Sequence, residues 1–292
     1  MMAFARFLPP RDSRTAYWFG AGDWMTLLYI LCMYVGVVKI LLPQYMMNRK
    51  EFKLLGIIRL YNLLLVGINV LFFYDIAKHT YFGGRYSWLC QGLRRDSMDM
   101  EVLKLNYYYM FVRIFEFLDT VFFILRKKFN QASVLNISHH CIAVILPWYG
   151  LAYGIDGQIC LMVLVNMAVH VIMYSYYFLA SFPAMQSYLG WKRYLTLIQI
   201  IQFVVVGVHM CVPLVYDCGY PVQSSLLVVS CYVYFLLMFA AFYGSTYQRK
   251  AKCKVEDNGY DEQLRSRVVE SVDDKDKSIF GEVRHSLANG IR

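Results

Sequence analysis

The run ICLMVLVNMAVHVIMYSYYFLA, from Ile159 to Ala180, decides the fold class. It contains no Asp, Glu, Lys or Arg. At about 1.5 Å of rise per residue it makes a helix of roughly 33 Å, enough to cross a hydrocarbon layer about 30 Å thick. Its few polar groups are ordered. Asn166, His170, Tyr174 and Tyr177 stand at i, i+4, i+8 and i+11, on one helical face. The run reads as a membrane-spanning helix whose polar stripe turns toward protein.

Six further apolar stretches of similar length surround it, near Trp24–Leu42, Gly56–Ala77, Leu105–Leu125, Ser133–Leu151, Tyr194–Tyr216 and Ser224–Tyr247. The expectation is an all-α, polytopic membrane protein with seven transmembrane helices. A luminal segment (1–23) precedes one membrane domain (24–247), and a polar, disordered cytosolic tail (248–292) follows it. Composition agrees. Of 292 residues, 59% are hydrophobic and only 17% charged, with a mean hydropathy of +0.41. A soluble domain carries about a quarter charged residues. These values argue against a water-soluble enzyme, a disordered protein and a nucleic-acid partner.

The net charge of +9 belongs mostly to alternate loops. Arg49, Lys50 and Lys53 follow the first span, Arg126, Lys127 and Lys128 the third, Lys192 and Arg193 the fifth, and Arg249, Lys250, Lys252 and Lys254 the seventh. The loops Ala152–Gln158 and Asp217–Gln223 hold no Lys or Arg. By the positive-inside rule the amino terminus faces the lumen or exterior and the tail faces the cytosol. The longer loop Lys78–Lys104 departs from the pattern, with basic residues on the luminal side. Residues 1–23 lack the apolar core of a cleavable signal peptide, so the first span is expected to act as an uncleaved anchor. Of the eight cysteines, Cys90 and Cys218 fall in luminal loops, where oxidation is favoured, and a disulfide between them is expected. No Cys or His spacing suggests a metal, and none is expected.

Ionisable groups inside spans are costly and usually functional. Here they cluster. The third span carries Arg113, Glu116 and Asp119, and the fourth Asn136, His139 and His140. The sixth carries Thr196, Gln199, Gln202 and His209. Any one of them alone has a structural reading: a hydrogen-bonded histidine, a buried Arg113–Glu116 pair, amides that join helices. Their convergence on the cytosolic half argues for a site, with Arg126, Lys127 and Lys128 at its mouth. Imidazole serves as nucleophile or general base near neutral pH. A cationic mouth suits phosphate and an apolar interior suits an acyl chain, the two halves of a long acyl-CoA. Ordinary membrane topology explains the basic triplet equally well.

Three segments carry a family resemblance. Arg113-Ile-Phe-Glu116-Phe-Leu-Asp119-Thr120 resembles the KxxExxDT motif of the ELO (ELOVL) very-long-chain fatty acid elongases, with Arg in place of Lys. Asn166 to Tyr177 is similar to NxxVHxxMYxYY, and Thr196 to Phe203 to TxxQxxQF. The HxxHH box departs: it reads Asn136-Ile-Ser-His139-His140. The resemblance implies seven helices, six of them ringing an acyl tunnel, in the endoplasmic reticulum membrane. It implies an acyltransferase, a 3-oxoacyl-CoA synthase condensing very-long-chain acyl-CoA with malonyl-CoA through an acyl-imidazole, without cofactor. His139 is then the nucleophile, His170 its partner, and His140 assists. Asn166, Tyr174, Tyr177, Gln199, Gln202, Arg126, Lys127 and Lys128 bind substrate. Arg113, Glu116, Asp119 and Asn136 support the site, and Cys90 pairs with Cys218. Implied partners are membrane lipid, the 3-oxoacyl-CoA reductase, the 3-hydroxyacyl-CoA dehydratase and the enoyl-CoA reductase. The oligomeric state, a homo-oligomer included, is left open. Because Asn136 cannot titrate, an inactive homologue that binds acyl-CoA or scaffolds other enzymes stays an alternative, as does a seven-helix receptor or transporter.

Overall fold

The computed structural model describes residues 8–94 and 100–248, which contain helices and no strand. The chain forms two compact units, Met1–Ala240 and Ala241–Arg292. In the second, Ala241–Tyr243 ends a helix and Gly244–Gln248 makes a π-helical turn. The expected tail lies outside the described residues except for Gln248, and so do residues 1–7 of the expected luminal segment.

Among the described residues, six helices are long and apolar enough to cross a membrane. They are α1 (Trp24–Met46), α2 (Leu55–His79), α5 (Val134–Tyr153), α6 (Ile159–Ala180), α7 (Lys192–Val215) and α8 (Val222–Tyr243). Between α2 and α5 lie α3 (Met100–Phe115) and α4 (Leu118–Leu125). All six long helices expose large apolar side chains, among them Leu28, Leu71, Val134, Ile172, Val208 and Leu237. A water-facing surface would not tolerate so many. Among these helices α1 is the least enclosed, burying only Tyr34, Val38 and Met46.

The expected third span, Leu105–Leu125, is broken. Glu116 and Phe117 form a turn between α3 and α4. Across it the amides of Phe117, Asp119 and Thr120 bond back three residues, to Ile114, Glu116 and Phe117. Such tightening stacks residues i and i+3. It brings Glu116 and Asp119 to the same side, facing His170 and Tyr174 one turn apart on α6. The break thus sits where the buried charges find partners.

Helix α2 packs along α6, α3 along α2 and α5, and α7 along α6. Helix α8 joins α5 through Tyr149–Ser224, and α7 through Phe203 stacked on Phe235. At the end opposite Arg126–Lys128, Cys90 is bonded to Cys218 with Cα atoms 5.9 Å apart. A Cβ on Gly92 would overlap the Cys218 carbonyl oxygen, so only glycine lets the two loops approach this closely. Pro213 removes one helical hydrogen bond from the His209 carbonyl. That carbonyl instead accepts from Gln158 Nε2 at 2.9 Å. The segment before α1 is tied to the same end. Arg14 bridges Asp12 and the fully buried Asp156, and Thr15 donates to the Leu151 carbonyl. Facing carboxylates hold Arg14 more firmly charged than an ordinary arginine, against the opposing effect of burial, which is the larger single influence.

Candidate active site

Helix α5 begins with a Ser133 cap, whose Oγ accepts from the Asn136 amide at 3.2 Å. A serine cap is worth about 1 kcal/mol to the helix. It also sets the phase of the box. Asn136 falls in the first turn, and the successive residues His139 and His140 diverge by about 100° around the axis. His139 faces an apolar cavity of about 60 Å³ lined by residues of α3, α5, α6, α7 and α8. His140 turns away and is buried, with the rings of Tyr34 and Phe117 each 6.1 Å off. Its Nδ1 has no hydrogen-bond partner among the described residues.

Across the cavity wall stands His170. The rings of His139 and His170 lie 6.3 Å apart and nearly parallel, 23° between planes. His170 is held by Arg113, whose Nη1 is 2.9 Å from Nδ1 and 3.2 Å from Nε2. Arginine only donates. With Nδ1–H donated to the acceptor-only Glu116 carboxylate, Nε2 is the ring nitrogen that presents its lone pair to Arg113. Glu116 Oε1 is 3.3 Å from His170 Nδ1, and Glu116 Oε2 accepts from Arg113 at 2.9 Å. Arg113 is buried, and buried guanidinium demands several partners. It donates from Nη2 to Asn69 Oδ1 at 3.2 Å and lies 4.2 Å over the Tyr109 ring. Asn69 is itself positioned by its Nδ2 on the Leu65 carbonyl. Tyr109 in turn reaches Asn166 Oδ1 at 3.4 Å.

The remaining sequence candidates separate. Arg113, His139 and Asn166 line the cavity. Tyr174 lies behind them, donating to Asp119 Oδ2 at 2.7 Å. Gln199 donates to the Met173 sulfur, and Gln202 is buried beside Phe203; the cavity takes only Phe203 from α7. Tyr177 is exposed, its ring beside that of Tyr174. Asn136 does not line the cavity. Its Nδ2 donates to Thr120 Oγ1 at 2.7 Å, and the same oxygen meets Tyr34 OH at 2.8 Å. Arg126 is half-buried and Lys128 exposed at the end of α4. Partial desolvation of its mostly exposed side chain, and then the charge of Arg126, push the Lys128 ammonium below the ordinary lysine value. Lys127 leaves the triplet to line a second cavity against α1.

The cavity extends from these polar groups toward the disulfide end. It reaches Pro147 on α5 and Ile159 on α6, about 10 to 12 Å from His139 and Asn166 along the helices. Pro147 also frees the Ala143 carbonyl from helical bonding, and both residues line the cavity. The arrangement is an imidazole pair at one end of an apolar slot, with a buried ion pair behind it.

Residues 19–255 match the ELO family, described as GNS1/SUR4. The chain belongs to that family. It is 33% identical to mouse very long chain fatty acid elongase 5 over 261 residues, covering 87% of this chain and 85% of the relative. Mouse very long chain fatty acid elongase 2 is 36% identical over 249 residues, 82% of either chain. Mouse elongase 4 is 35% identical over 251 residues, 83% of this chain and 78% of the relative. This elongase-family protein is thus a multi-pass membrane protein of fatty acid elongation.

Sequence reasoning missed Asn69, Tyr109 and Tyr34, and it quoted Thr120 only as the end of a motif. Asn69 carried a usable signal, as an amide in the middle of an apolar span. The tyrosines did not, since a tyrosine in a span is ordinary and its partner lies on another helix.

Proposed function

We propose that this protein catalyses the condensing step of elongation, joining an acyl-CoA to malonyl-CoA to give 3-oxoacyl-CoA, CoA and carbon dioxide. The observation that carries the reading is the His139–His170 pair, 6.3 Å between rings, at the head of an apolar slot. A His139 nitrogen attacks the thioester carbonyl, the CoA thiolate leaves, and an acyl-imidazole remains. Malonyl-CoA then loses carbon dioxide, and its carbanion attacks the acyl carbon and releases His139. His170 guides this second step, its orientation fixed by Arg113 and Glu116. Asn166 orients the reacting carbonyl, while Tyr174 and Asp119 brace the helix that carries His170. Arg126 and Lys128 meet CoA phosphates. The acyl chain lies toward Leu146, Pro147 and Ile159.

Pairwise packing supports six helical segments ringing that slot: α2 on α3, α3 on α5, α5 on α8, α8 on α7, α7 on α6 and α6 on α2. Together α3 and α4 make the broken member of a seven-span protein, and α1 lies outside. We place the protein in the endoplasmic reticulum membrane, amino terminus in the lumen, working with the reductases and dehydratase that complete the cycle. An inactive role would follow if Asn136 stood where a base must act; its amide is engaged on Thr120 instead. The test supplies labelled malonyl-CoA and C16–C24 acyl-CoAs to purified protein. We expect 3-oxoacyl-CoA, and an acylated His139 when malonyl-CoA is withheld. Product from a His139→Ala variant at the wild-type rate would refute the mechanism.

A further inference from the structure

A second cavity, of about 490 Å³, lies between α1 and the segment that follows α4. It shares no lining residue with the histidine slot. Its walls include Ile40, Pro43, Met47 and Phe129, and among the described residues its only charged lining groups are Lys39 and Lys127. Neither ammonium group has a hydrogen-bond or ion-pair partner among the described residues.

The backbone is unusual on both sides. Val37–Leu41 of α1 is π-helical, with the Leu42 amide bonding to the Val37 carbonyl, and this widened turn carries Lys39. Lys127 holds φ at 54°, in the left-handed region that glycine usually takes after a helix. Its amide bonds to Ile124 O and that of Lys128 to Phe123 O, the paired bonds that end a helix in this way. Lys39 stands seven residues inside the end of α1, about 10 Å along the axis. An ammonium group at that depth is costly unless it reaches a phosphate or water.

We propose that this cavity binds an anionic membrane phospholipid, its phosphate between Lys39 and Lys127 and its acyl chains along the apolar face of α1. Charge complementarity names the headgroup, because among the described residues no carboxylate lines the cavity. The apolar walls, and the exposed Leu41 beside them, name the tails. A water-soluble anion would use the lysines and leave those walls unoccupied. The proposal does not depend on the catalytic reading.

The experiment is native mass spectrometry of the full chain in detergent, titrated with dioleoyl phosphatidic acid or dioleoyl phosphatidylcholine. Each lysine near a membrane surface favours an anionic lipid about fivefold, so the pair predicts about thirtyfold. We expect wild type to prefer phosphatidic acid by that order, Lys39→Gln to lose much of the preference, and Lys39→Gln with Lys127→Gly to lose nearly all. Glycine keeps the left-handed turn, and the single Lys39→Gln change carries the test if the double variant does not fold. Arg49→Gln, a basic residue outside the cavity, should keep the preference. Equal loss in Arg49→Gln would mean a diffuse basic surface and overturn the site. Displacement of the lipid by millimolar CoA or inorganic phosphate would overturn the lipid as its occupant.

Discussion

Removing the Asn136 side chain tests whether the box departure matters to chemistry. Asn136→Ala deletes one partly buried hydrogen bond, Nδ2–H to Thr120 Oγ1 at 2.7 Å. The hydroxyl keeps its second partner, Tyr34 OH at 2.8 Å, so no buried group is stranded. A neutral bond of this kind contributes about 1 kcal/mol to stability. The Ser133 cap uses the Asn136 backbone amide and survives the change. His139 and His170 keep their positions, because neither hydrogen-bonds to Asn136. We therefore expect a fall of a few degrees in unfolding temperature and a change in kcat/KM below about threefold. Asn136→His should bring no large gain either, since the position faces Thr120 and not the slot. The assay is condensation of labelled malonyl-CoA with a fixed acyl-CoA, paired with thermal unfolding in the same detergent. A loss of kcat beyond about tenfold in folded Asn136→Ala protein, or a comparable gain in Asn136→His, refutes the reasoning: either would mean that this position acts on the reacting atoms.

Asn69→Ala leaves a buried guanidinium without one acceptor. A bond to a charged group is worth about 1.5–3 kcal/mol, so kcat/KM should fall ten- to hundredfold or the unfolding temperature should drop; retention of both would remove Arg113–Asn69 from the account. Asp156→Ala breaks a buried ion pair that ties the amino-terminal segment to the disulfide end. It should destabilise the protein by about 3 kcal/mol, read by thermal unfolding, while the folded enzyme keeps its turnover. The ammonium of Lys128 is depressed by burial and by Arg126, so it loses its charge as pH rises, sooner than an ordinary lysine. The KM for acyl-CoA should climb on the alkaline side in wild type and less steeply in Lys128→Gln, with the pH profile of KM as the readout. Leu146→Trp narrows the slot between its head and Ile155, and should shift the longest acyl-CoA accepted toward shorter chains in a C16–C24 competition.

Hydrophobic length alone made most of the architecture legible. Six of the expected spans became long apolar helices, because twenty apolar residues have few other ways to satisfy their backbone. Polar spacing anticipated a convergence, since Arg113, His139, Asn166 and His170 all stand at or beside one cavity. Spacing did not give direction. Helical phase separates His139 from His140, yet which of them meets the slot depends on where the Ser133 cap starts α5. The Gln199 and Gln202 stripe was equally regular, and α7 gives the cavity only Phe203 from that turn. The break at Glu116–Phe117 was hidden for another reason. A motif string records residue order, whereas the tightened turn follows from burying two carboxylates that need separate partners on α6.

The Arg at position 113 shows how a departure can be read once its surroundings are known. A lysine there would bring one nitrogen, able to sit between Glu116 and His170. Arginine brings a planar fork, with two terminal nitrogens fixed about 2.3 Å apart. One nitrogen serves Glu116 and His170, and the other takes Asn69 on α2. The guanidinium plane also lies over Tyr109, which no ammonium would cover as fully. Arg113→Lys should therefore leave the Glu116 and His170 contacts within reach while abandoning Asn69. If that account holds, Asn69→Ala costs the Arg113→Lys variant almost nothing, and a double-mutant cycle yields a coupling of about 1.5–3 kcal/mol between the two positions. Additive effects would mean that Arg113 and Asn69 act independently, and that the substitution at 113 has some cause other than its second nitrogen.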